Sequence, residues 1–327
     1  EEEYIRQVRD ADIIVGWRPS EELFEAAEKL KLHINPGAGV QHLLPKFREL
    51  YRENNVRLVN GHGNSYFTAQ HAVALLLALT NKVVRHHNGM VSGLWRTANA
   101  EARSIPLRNR RVGLLGYGAV NSKTHRFLSA FDVEFSILKR SWNKDERMPT
   151  EVTKFVPSQL HEFLERIDIL IIAVPLTEET EGLIGDEELN LLGENGLLVN
   201  IGRGGIVVQE SLYGALLDGT IGGAAIDVWY DYNPEPNEKG HLFPYEYPFH
   251  ELDNVVLSPH RGASPMNDLK RWDEVIENIR RVHEGNSDLI NVVDVETGEL
   301  HEELTDGQRQ LELDVARENI SGGIMDL

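Results

Sequence analysis

An arginine between glycines and a histidine after a short apolar run are the residues of this chain best suited to chemistry. Arg203 stands in N-I-G-R-G-G, where the neighbouring glycines leave its guanidinium little covered. A planar guanidinium can grip a carboxylate through two hydrogen bonds. His260 stands in S-P-H-R-G and can exchange a proton near neutral pH. Beside a nicotinamide, the pair predicts hydride transfer: the arginine holds a carboxylate and polarises the adjacent carbonyl, and the histidine protonates its oxygen.

A glycine-spaced turn offers the place for a dinucleotide. In G-Y-G-A-V-N, Gly116 permits a tight turn and Gly118 lets the backbone approach a pyrophosphate. The helix start at Ala119 and Val120 would offer free N–H groups to the phosphates. Asn121 fills the third position, where the fingerprint has glycine or alanine. On this stretch alone, an ordinary strand-to-helix turn remains the alternative.

The end of the following strand indicates which dinucleotide is bound. An NAD site usually carries an acidic residue about 20 positions on, for the ribose 2′-hydroxyl. Here the chain reads Lys139-Arg140-Ser141. Two cations and a hydroxyl favour a 2′-phosphate, which a carboxylate would repel. The sequence therefore predicts NADP in preference to NAD, with a solvated basic strand end as the alternative.

Composition excludes several classes of function. The 33 basic and 52 acidic residues among 327 give a net charge of −19, which opposes binding to nucleic acid or to anionic membranes. The absence of cysteine excludes disulfides, thiolate nucleophiles and cysteine-based metal sites, and we predict no metal. No apolar stretch approaches the roughly 18 residues of a membrane span. We expect a soluble, cytoplasmic protein.

Apolar runs and helical periodicity alternate and predict two parallel sheets. In the first part, strands and helices are expected in turn at residues 12–16, 21–30, 32–35, 44–54 and 56–60. Such a domain would normally begin with one more strand and helix, so we expect that on the order of 30 residues are absent from the front. A long helix from residue 68 to about 84 and a polar connection at 88–105 would follow.

The second part predicts a doubly wound nucleotide domain. Its strands are expected at residues 111–115, 134–138, 168–174, 196–201, 223–228 and 254–258, with helices at 157–167, 186–192 and 209–218. Ligands of such sheets bind outside the carboxyl ends of the strands, where Arg203, Asp227 and His260 fall. The Pro- and aromatic-rich segment 231–251 predicts a functional loop or an interface arm. Helices are also expected at 267–283 and, in the acidic tail, at 304–319.

Seven motifs in order resemble those of the D-2-hydroxyacid dehydrogenase family. They are G-A-G-V-Q-H (37–42), N-S-Y-F-T-A-Q-H-A-V-A-L-L-L-A-L (64–79), G-Y-G-A-V-N (116–121), V-P-L-T-E-E-T (174–180), L-V-N-I-G-R-G-G (198–205), G-G-A-A-I-D-V-W (222–229) and S-P-H (258–260). The resemblance implies an α/β protein in which a Rossmann-like doubly wound domain is inserted into a flavodoxin-like substrate domain. We accordingly expect the substrate domain at 1–100, the dinucleotide domain at 101–265, and a return to the substrate domain with a tail at 266–327.

The resemblance also implies roles for individual residues. Arg203 would bind the substrate and His260 would act as acid/base, while the backbone at Ala38 and Gly39 would meet the substrate carboxylate and Asn64 would lie near the pocket. Cofactor contacts would come from Pro175, Thr180, Ile201, Gly202 and, at the nicotinamide carboxamide, Asp227. The family commonly dimerises through the region around the long helix, here residues 68–103, so a homodimer is expected.

The acid that partners the histidine departs from the family pattern. Typical members carry it five residues after the aspartate of I-D-V-W, where this chain has Tyr232. Glu235 is the predicted partner of His260 after a three-residue insertion, and Asp231 is the rival. Formate dehydrogenases use an amide in this role, and the loop contains no glutamine, which disfavours that activity. Gln70 replaces the glutamate usual in A-E-H.

The leading hypothesis is an oxidoreductase that transfers hydride between NAD(P)H and a small 2-ketoacid or D-2-hydroxyacid whose identity the sequence does not fix. The alternatives are an NAD(P)-binding, corepressor-like regulatory dimer with little turnover, a phosphite dehydrogenase-like oxidoreductase, and a paralogue with a decayed site.

Overall fold

The computed structural model describes residues 2–96, 103–143, 148–264 and 270–298. The chain divides into two compact units, one formed by Glu1–Asn64 and Met266–Leu327 and the other by Ser65–Pro265. The first division falls after Asn64 and not near residue 100, where we expected it. The reason is that the long helix packs its buried Leu76 and Leu79 in the same apolar cluster as the strand residues Val199 and Ala225 of the larger unit.

The smaller unit contains a three-stranded parallel sheet in the order β1-β2-β3. The strands are β1 (Ile13–Val15), β2 (Leu32–Asn35) and β3 (Arg57–Asn60), and the helices are α1 (Glu2–Val8), α2 (Glu21–Ala26), α3 (Leu44–Asn54) and α10 (Arg271–His283). Every residue of β2 is buried, as expected for the centre of a parallel sheet. The predicted strands are confirmed, whereas α2 ends at Ala26, four residues before its predicted end.

The larger unit is built on a seven-stranded sheet whose paired strands all run parallel. Its strands are β4 (Arg111–Leu115), β5 (Glu134–Leu138), β6 (Val152–Phe155), β7 (Ile169–Ile172), β8 (Leu197–Asn200), β9 (Gly223–Ile226) and β10 (Val255–Leu257). They lie in the order β10-β9-β8-β7-β4-β5-β6. The chain reverses its direction of travel between β4 and β7, which is the topological switch point of a doubly wound fold.

Helices and apolar clusters cover both faces of this sheet. The helices are α4 (Ser65–Thr80), α5 (Val83–Val91), α6 (Ala119–Leu128), α7 (Leu160–Glu165), α8 (Asp186–Leu192) and α9 (Gln209–Leu217). One cluster includes Phe163, Leu189 and Leu212, and the other includes Leu76 and Leu128. The expected α/β class and doubly wound sheet are confirmed.

Helix α1 (Glu2–Val8) was not predicted, and the structure differs from the sequence prediction at two other places. Strand β6 was not predicted, because Val152–Phe155 is a short edge strand with only its last residue buried. The long helix stops at Thr80 and a second helix, α5, begins at Val83, since Lys82 has a left-handed backbone (φ 51°) that no α-helix accommodates. The connection expected from residue 88 therefore begins after Val91. The helix predicted at 304–319 lies outside the described residues.

No single helix among the described residues is both long and apolar enough to cross a membrane. Helices α4 and α5 reach that length and apolarity only as a pair, and the pair is bent by 63°.

Candidate active site

The carboxyl ends of the seven parallel strands bring the predicted residues of the larger unit to one edge of the sheet. Gly116 follows β4, Lys139 follows β5, Arg203 follows β8, Asp227 follows β9 and His260 comes three residues after β10. Parallel strands end at a common edge, and in open α/β sheets that edge is where ligands bind. These five residues thus all lie at the carboxyl ends of strands in one sheet, although they span about 140 positions of sequence.

The glycine turn has the two properties that a pyrophosphate needs. Gly116 has φ 82°, and a Cβ there would lie 2.6 Å from Val174 Cγ1, so a side chain fits neither the turn nor the space. Gly118 precedes the first residue of α6, and a Cβ there would meet no atom within 4 Å. The backbone therefore turns sharply at the first glycine and faces open space at the second, beside the N-terminus of a helix.

At the third fingerprint position, glycine or alanine would let helix and strand pack closely, whereas Asn121 joins them by hydrogen bonds. It is fully buried, and its Nδ2 donates to the carbonyl oxygens of Gly116 at 2.9 Å and of Leu115 and Ile171 at 3.3 Å. These bonds tie the start of α6 to the ends of β4 and β7. The departure from the fingerprint thus leaves the turn anchored.

A small loop after β7 carries two of the predicted cofactor residues. The hydroxyl of Thr180 donates to the carbonyl of Pro175 at 2.7 Å and accepts from the amide of Thr177 at 2.8 Å. The loop is closed on itself at this edge. Ile201 and Gly202 follow the neighbouring β8, and a Cβ on Gly202 would lie 2.9 Å from the carbonyl oxygen of Val174, so the two loops are in close contact.

The loop that carries Arg203 is held from two sides. The buried Asn200 accepts from the amide of Gly202 at 3.1 Å and donates to the carbonyl of Arg203 at 2.9 Å. A Cβ on Gly204 would lie 2.3 Å from the carbonyl oxygen of Trp229, so only glycine permits this approach. Burial lowers the pKa of Arg203, and the nearby Tyr232 opposes that effect. The guanidinium stays charged at neutral pH, since its ordinary pKa is above 12.

Asp227 fastens the loop that carries His260. Its carboxylate accepts from the Ser258 hydroxyl and from the amides of Arg261 at 2.8 Å and Gly262 at 2.9 Å, and His71 approaches to 3.4 Å. Burial would raise the pKa of this carboxyl, but these donors outweigh burial and hold the pKa below its ordinary value. Asp227 is 2% exposed, and both oxygens face protein donors. Its predicted contact with a nicotinamide carboxamide stays a prediction.

His260 has a left-handed backbone, with φ 55°, inside the loop that Asp227 fastens. Such a conformation costs free energy in a residue other than glycine, so the surrounding contacts must maintain it. Desolvation by the surrounding protein lowers the pKa of His260; Asp227 raises it, and the positive charges of Arg203 and Arg261 lower it further. Arg203 and Arg261 therefore oppose the charged form of His260, and Asp227 favours it.

The ring of His260 is paired with a phenol. Its Nδ1 lies 2.8 Å from the hydroxyl oxygen of Tyr232, and the two rings meet edge to face with centroids 5.4 Å apart. The expected partner, Glu235, is exposed, and no hydrogen bond or ion pair joins it to another residue that the structure describes. The rival, Asp231, accepts from the amide of Asn233. Tyr232 stands at the position where the family usually has the acid, so no insertion shifts the partner.

The predicted substrate residues of the smaller unit lie on its own strand ends. Asn60 donates to the carbonyl of Ala38 at 2.8 Å, and Asn35 donates to the carbonyl of Gly39 at 3.2 Å. These buried amides fix the loop after β2. Asn64 is buried at the end of the segment that follows β3.

Comparison with known proteins decides the family. The profile described as "D-isomer specific 2-hydroxyacid dehydrogenase, NAD binding domain" matches residues 73–262. This chain belongs to the D-isomer-specific 2-hydroxyacid dehydrogenase family. The family's members are NAD(P)-dependent oxidoreductases of 2-hydroxyacids. The family predicted from the seven motifs is confirmed.

The relatives within the family carry more than one name. A glyoxylate reductase of Thermofilum pendens is 31% identical over 285 residues, covering 84% of this chain and 78% of the relative. A D-3-phosphoglycerate dehydrogenase of Methanocaldococcus jannaschii is 29% identical over 293 residues, covering 87% of this chain. The chain spans only about half, 52%, of that relative's length.

A solved structure of the family has the same fold. The D-isomer specific 2-hydroxyacid dehydrogenase of Xanthobacter autotrophicus Py2, in complex with NADPH and MES, superposes with a TM-score of 0.71. The two chains are 26% identical, and the match covers 88% of this chain and 85% of that one. The chain thus has the family's fold over most of its length.

Sequence reasoning missed several residues of this family member's site. Asn200 and Trp229 hold the loops of Arg203 and His260, the latter through a 2.8 Å bond from the indole nitrogen to the Ser258 carbonyl. His71, on α4, lies 2.9 Å from the Ser258 hydroxyl. Their motifs were recognised, but a motif does not show which side chain turns toward which loop. Of the residues around His260, only Tyr232 was noticeable in the sequence, because a tyrosine stands there at the position where the family usually has the acid.

Proposed function

We propose that the protein reduces a small 2-ketoacid with NADPH and, in the reverse direction, oxidises the D-2-hydroxyacid. The observation that carries this proposal is that Arg203 and His260 follow β8 and β10 at the carboxyl ends of one parallel sheet, where a glycine turn with room for a pyrophosphate follows β4. A ketoacid offers both a carboxylate for the arginine and a carbonyl oxygen for the histidine.

The residues of the glycine turn fit a dinucleotide. Gly116 and Gly118 would lie against the pyrophosphate, with the amides of Ala119 and Val120 at the helix start directed toward its oxygens. The loop closed by Thr180 and the segment Ile201-Gly202 would border the nicotinamide end. When bound, the cofactor supplies a hydride to the carbonyl carbon.

The remaining steps belong to the protein. Arg203 holds the carboxylate of the ketoacid in two places and draws electron density from the neighbouring carbonyl. Because Nδ1 of His260 faces Tyr232, Nε2 is the nitrogen free to meet the substrate. Protonated Nε2 donates its proton to the carbonyl oxygen as the C–H bond forms, and neutral Nε2 accepts that proton in the oxidative direction.

The preference for NADP is supported by a cluster of cations after β5 and on β6. The side-chain nitrogens of Lys139 and Lys154 lie 4.5 Å and 4.7 Å from the centre of the same indole, that of Trp142. Trp142 is fixed by a 2.9 Å hydrogen bond from its ring nitrogen to the Phe155 carbonyl. Lys154 thus joins Lys139-Arg140-Ser141 at the strand end where the adenosine ribose would lie. The NADPH-bound relative is consistent with this choice.

Replacing Lys154 with methionine tests the preference, because methionine keeps the apolar stem and removes the charge. Losing one charge-assisted contact to a phosphate costs about 1.5 kcal/mol or more, so we expect the KM for NADPH to rise about tenfold and the KM for NADH to stay unchanged. The control is Arg166→Met. Arg166 is exposed and precedes β7, so it lies at the amino ends of the strands and away from the candidate site. Equal changes in both KM values would contradict a role for Lys154 in binding the 2′-phosphate.

We further propose a cytoplasmic homodimer. The region expected to dimerise exposes apolar side chains along α5 and just after it: Met90 (53%), Val91 (75%), Leu94 (57%) and Trp95 (72%). Apolar groups concentrated on one segment favour burial against another protein surface. The cytoplasmic location rests on composition alone, and we propose neither nucleic acid nor membrane as a partner.

Steady-state oxidation of NADPH with a panel of 2-ketoacids tests the function. We expect turnover with at least one small ketoacid, glyoxylate and hydroxypyruvate being the first probes, and NADP reduction with the matching D-2-hydroxyacid. Binding of NADPH without turnover on any ketoacid would favour the regulatory, corepressor-like alternative. Reduction of NADP with phosphite would favour the phosphite dehydrogenase-like one.

A further inference from the structure

Tyr232 occupies the place of an acid without having its charge. Its hydroxyl lies 2.8 Å from Nδ1 of His260 and also accepts, at 3.4 Å, from the amide of Trp229. Tyr232 is 51% exposed. The partial burial of its hydroxyl raises the pKa of Tyr232 above its ordinary value, with the Trp229 amide and Arg203 acting in the opposite sense. The hydroxyl is therefore neutral at physiological pH, since even an unperturbed tyrosine titrates near pH 10.

A phenol can form a hydrogen bond with either protonation state of an imidazole, but it stabilises neither state strongly over the other. It accepts a hydrogen bond from Nδ1–H of the charged ring and can donate one to Nδ1 of the neutral ring. A carboxylate in the same place would stabilise the charged ring by Coulomb attraction and typically raise its pKa by about 1–3. The ring of His260 is thus oriented here without that attraction.

The other charged groups around His260 do not replace the missing carboxylate. Asp227, one strand away, raises the pKa of His260, whereas Arg203 and Arg261 lower it. The charge of Asp227 is itself shared among the Ser258 hydroxyl, two loop amides and His71. Glu235 is solvent-exposed and not bonded to His260.

We infer that Tyr232 is the positioning residue of His260 and that its neutral hydroxyl confines ketoacid reduction to a more acidic range than a carboxylate partner would. This inference rests on the proposed function. Reduction requires charged His260 as the acid, and oxidation requires neutral His260 as the base. The reductive rate therefore falls as the pH rises through the pKa of His260, while the oxidative rate rises over the same range.

Two substitutions separate the hydroxyl from the missing charge. Tyr232→Glu installs a carboxylate, and we expect it to raise the pKa of His260 by about 1 or more and to move the reductive pH profile upward with it. Tyr232→Phe keeps the ring and removes the hydroxyl; we expect kcat for glyoxylate to fall about tenfold, with little change in KM. Glu235→Gln tests the rival partner and should leave the pKa of His260 unchanged.

The pKa of His260 is measured by NMR on the full chain without substrate, with the ring signal assigned through His260→Asn, and the pH profile of kcat/KM is measured with glyoxylate. If Tyr232→Glu leaves the pKa of His260 in place, or Glu235→Gln moves it as far as Tyr232→Glu does, the inference is overturned. A pKa that moves as expected in a protein that reduces no ketoacid would retain the pairing and refute the proposed function. The two failures are thereby distinguished.

Discussion

Replacing His260 with asparagine lowers kcat for ketoacid reduction by about 10²- to 10⁴-fold, the usual contribution of a positioned acid/base. Asparagine cannot deliver a proton, but it tolerates a left-handed backbone better than most residues, so it suits the φ of 55° at this position. The loop held by Asp227 should keep its conformation. Steady-state kinetics with NADPH and glyoxylate measure the effect, and the affinity for NADPH should change little.

The control for this substitution is His283→Asn, an exposed histidine at the end of α10 in the other unit. We expect its kinetics to equal those of the unmodified protein. A His260→Asn protein that turns over within a factor of about two of the unmodified protein would remove the histidine from the mechanism.

Replacing Arg203 with lysine lowers kcat/KM for glyoxylate by about 10²- to 10³-fold. Lysine keeps the positive charge, but it has no planar fork and cannot bond both oxygens of a carboxylate at once. Hydrogen bonds to charged groups contribute about 1.5–3 kcal/mol each, and the weakening of two of them accounts for that range. The lost fork should also reduce the polarisation of the carbonyl, so that kcat falls as well as the affinity.

Comparing glyoxylate with its methyl ester shows whether the carboxylate is the group that Arg203 binds. The unmodified protein should strongly prefer the acid, and Arg203→Lys should lose most of that preference. The control is Arg166→Lys, because Arg166 is exposed and lies before the amino end of β7; this variant should keep the preference for the acid. An Arg203→Lys protein with the original preference would show that the arginine does not bind the carboxylate.

The sequence was sufficient to predict six of the seven strands of the larger sheet, and the strand ends that carry the chemistry. Buried strands such as Leu197–Asn200 are short apolar runs bounded by turn residues, and these are readable from composition alone. Gly116 was assigned to a tight turn, and the turn has the left-handed φ that this assignment requires. Because parallel strands end at one edge, the placement of Arg203 and His260 followed from the positions of β8 and β10.

The features that were missed depend on side-chain direction or on a local backbone reversal. The partner of His260 lies in a loop without periodicity, so the sequence could not show that Tyr232, and not Glu235, turns back toward the ring. Lys154 was not predicted as part of the site because its strand, β6, is short, partly polar and the outermost strand of the sheet. The break between α4 and α5 depends on the left-handed backbone of Lys82, a residue type that gives no helix-breaking signal.

The central claim is that hydride passes directly from the nicotinamide to the carbonyl carbon of a ketoacid that Arg203 and His260 hold. The most direct test is reduction of glyoxylate or hydroxypyruvate with NADPH deuterated at C4 of the nicotinamide, followed by mass spectrometry and chiral analysis of the product. We predict one deuterium on C2 of the product and, where C2 is a stereocentre, the D configuration. Product without deuterium from either C4 position, or product of the L configuration, would contradict the account.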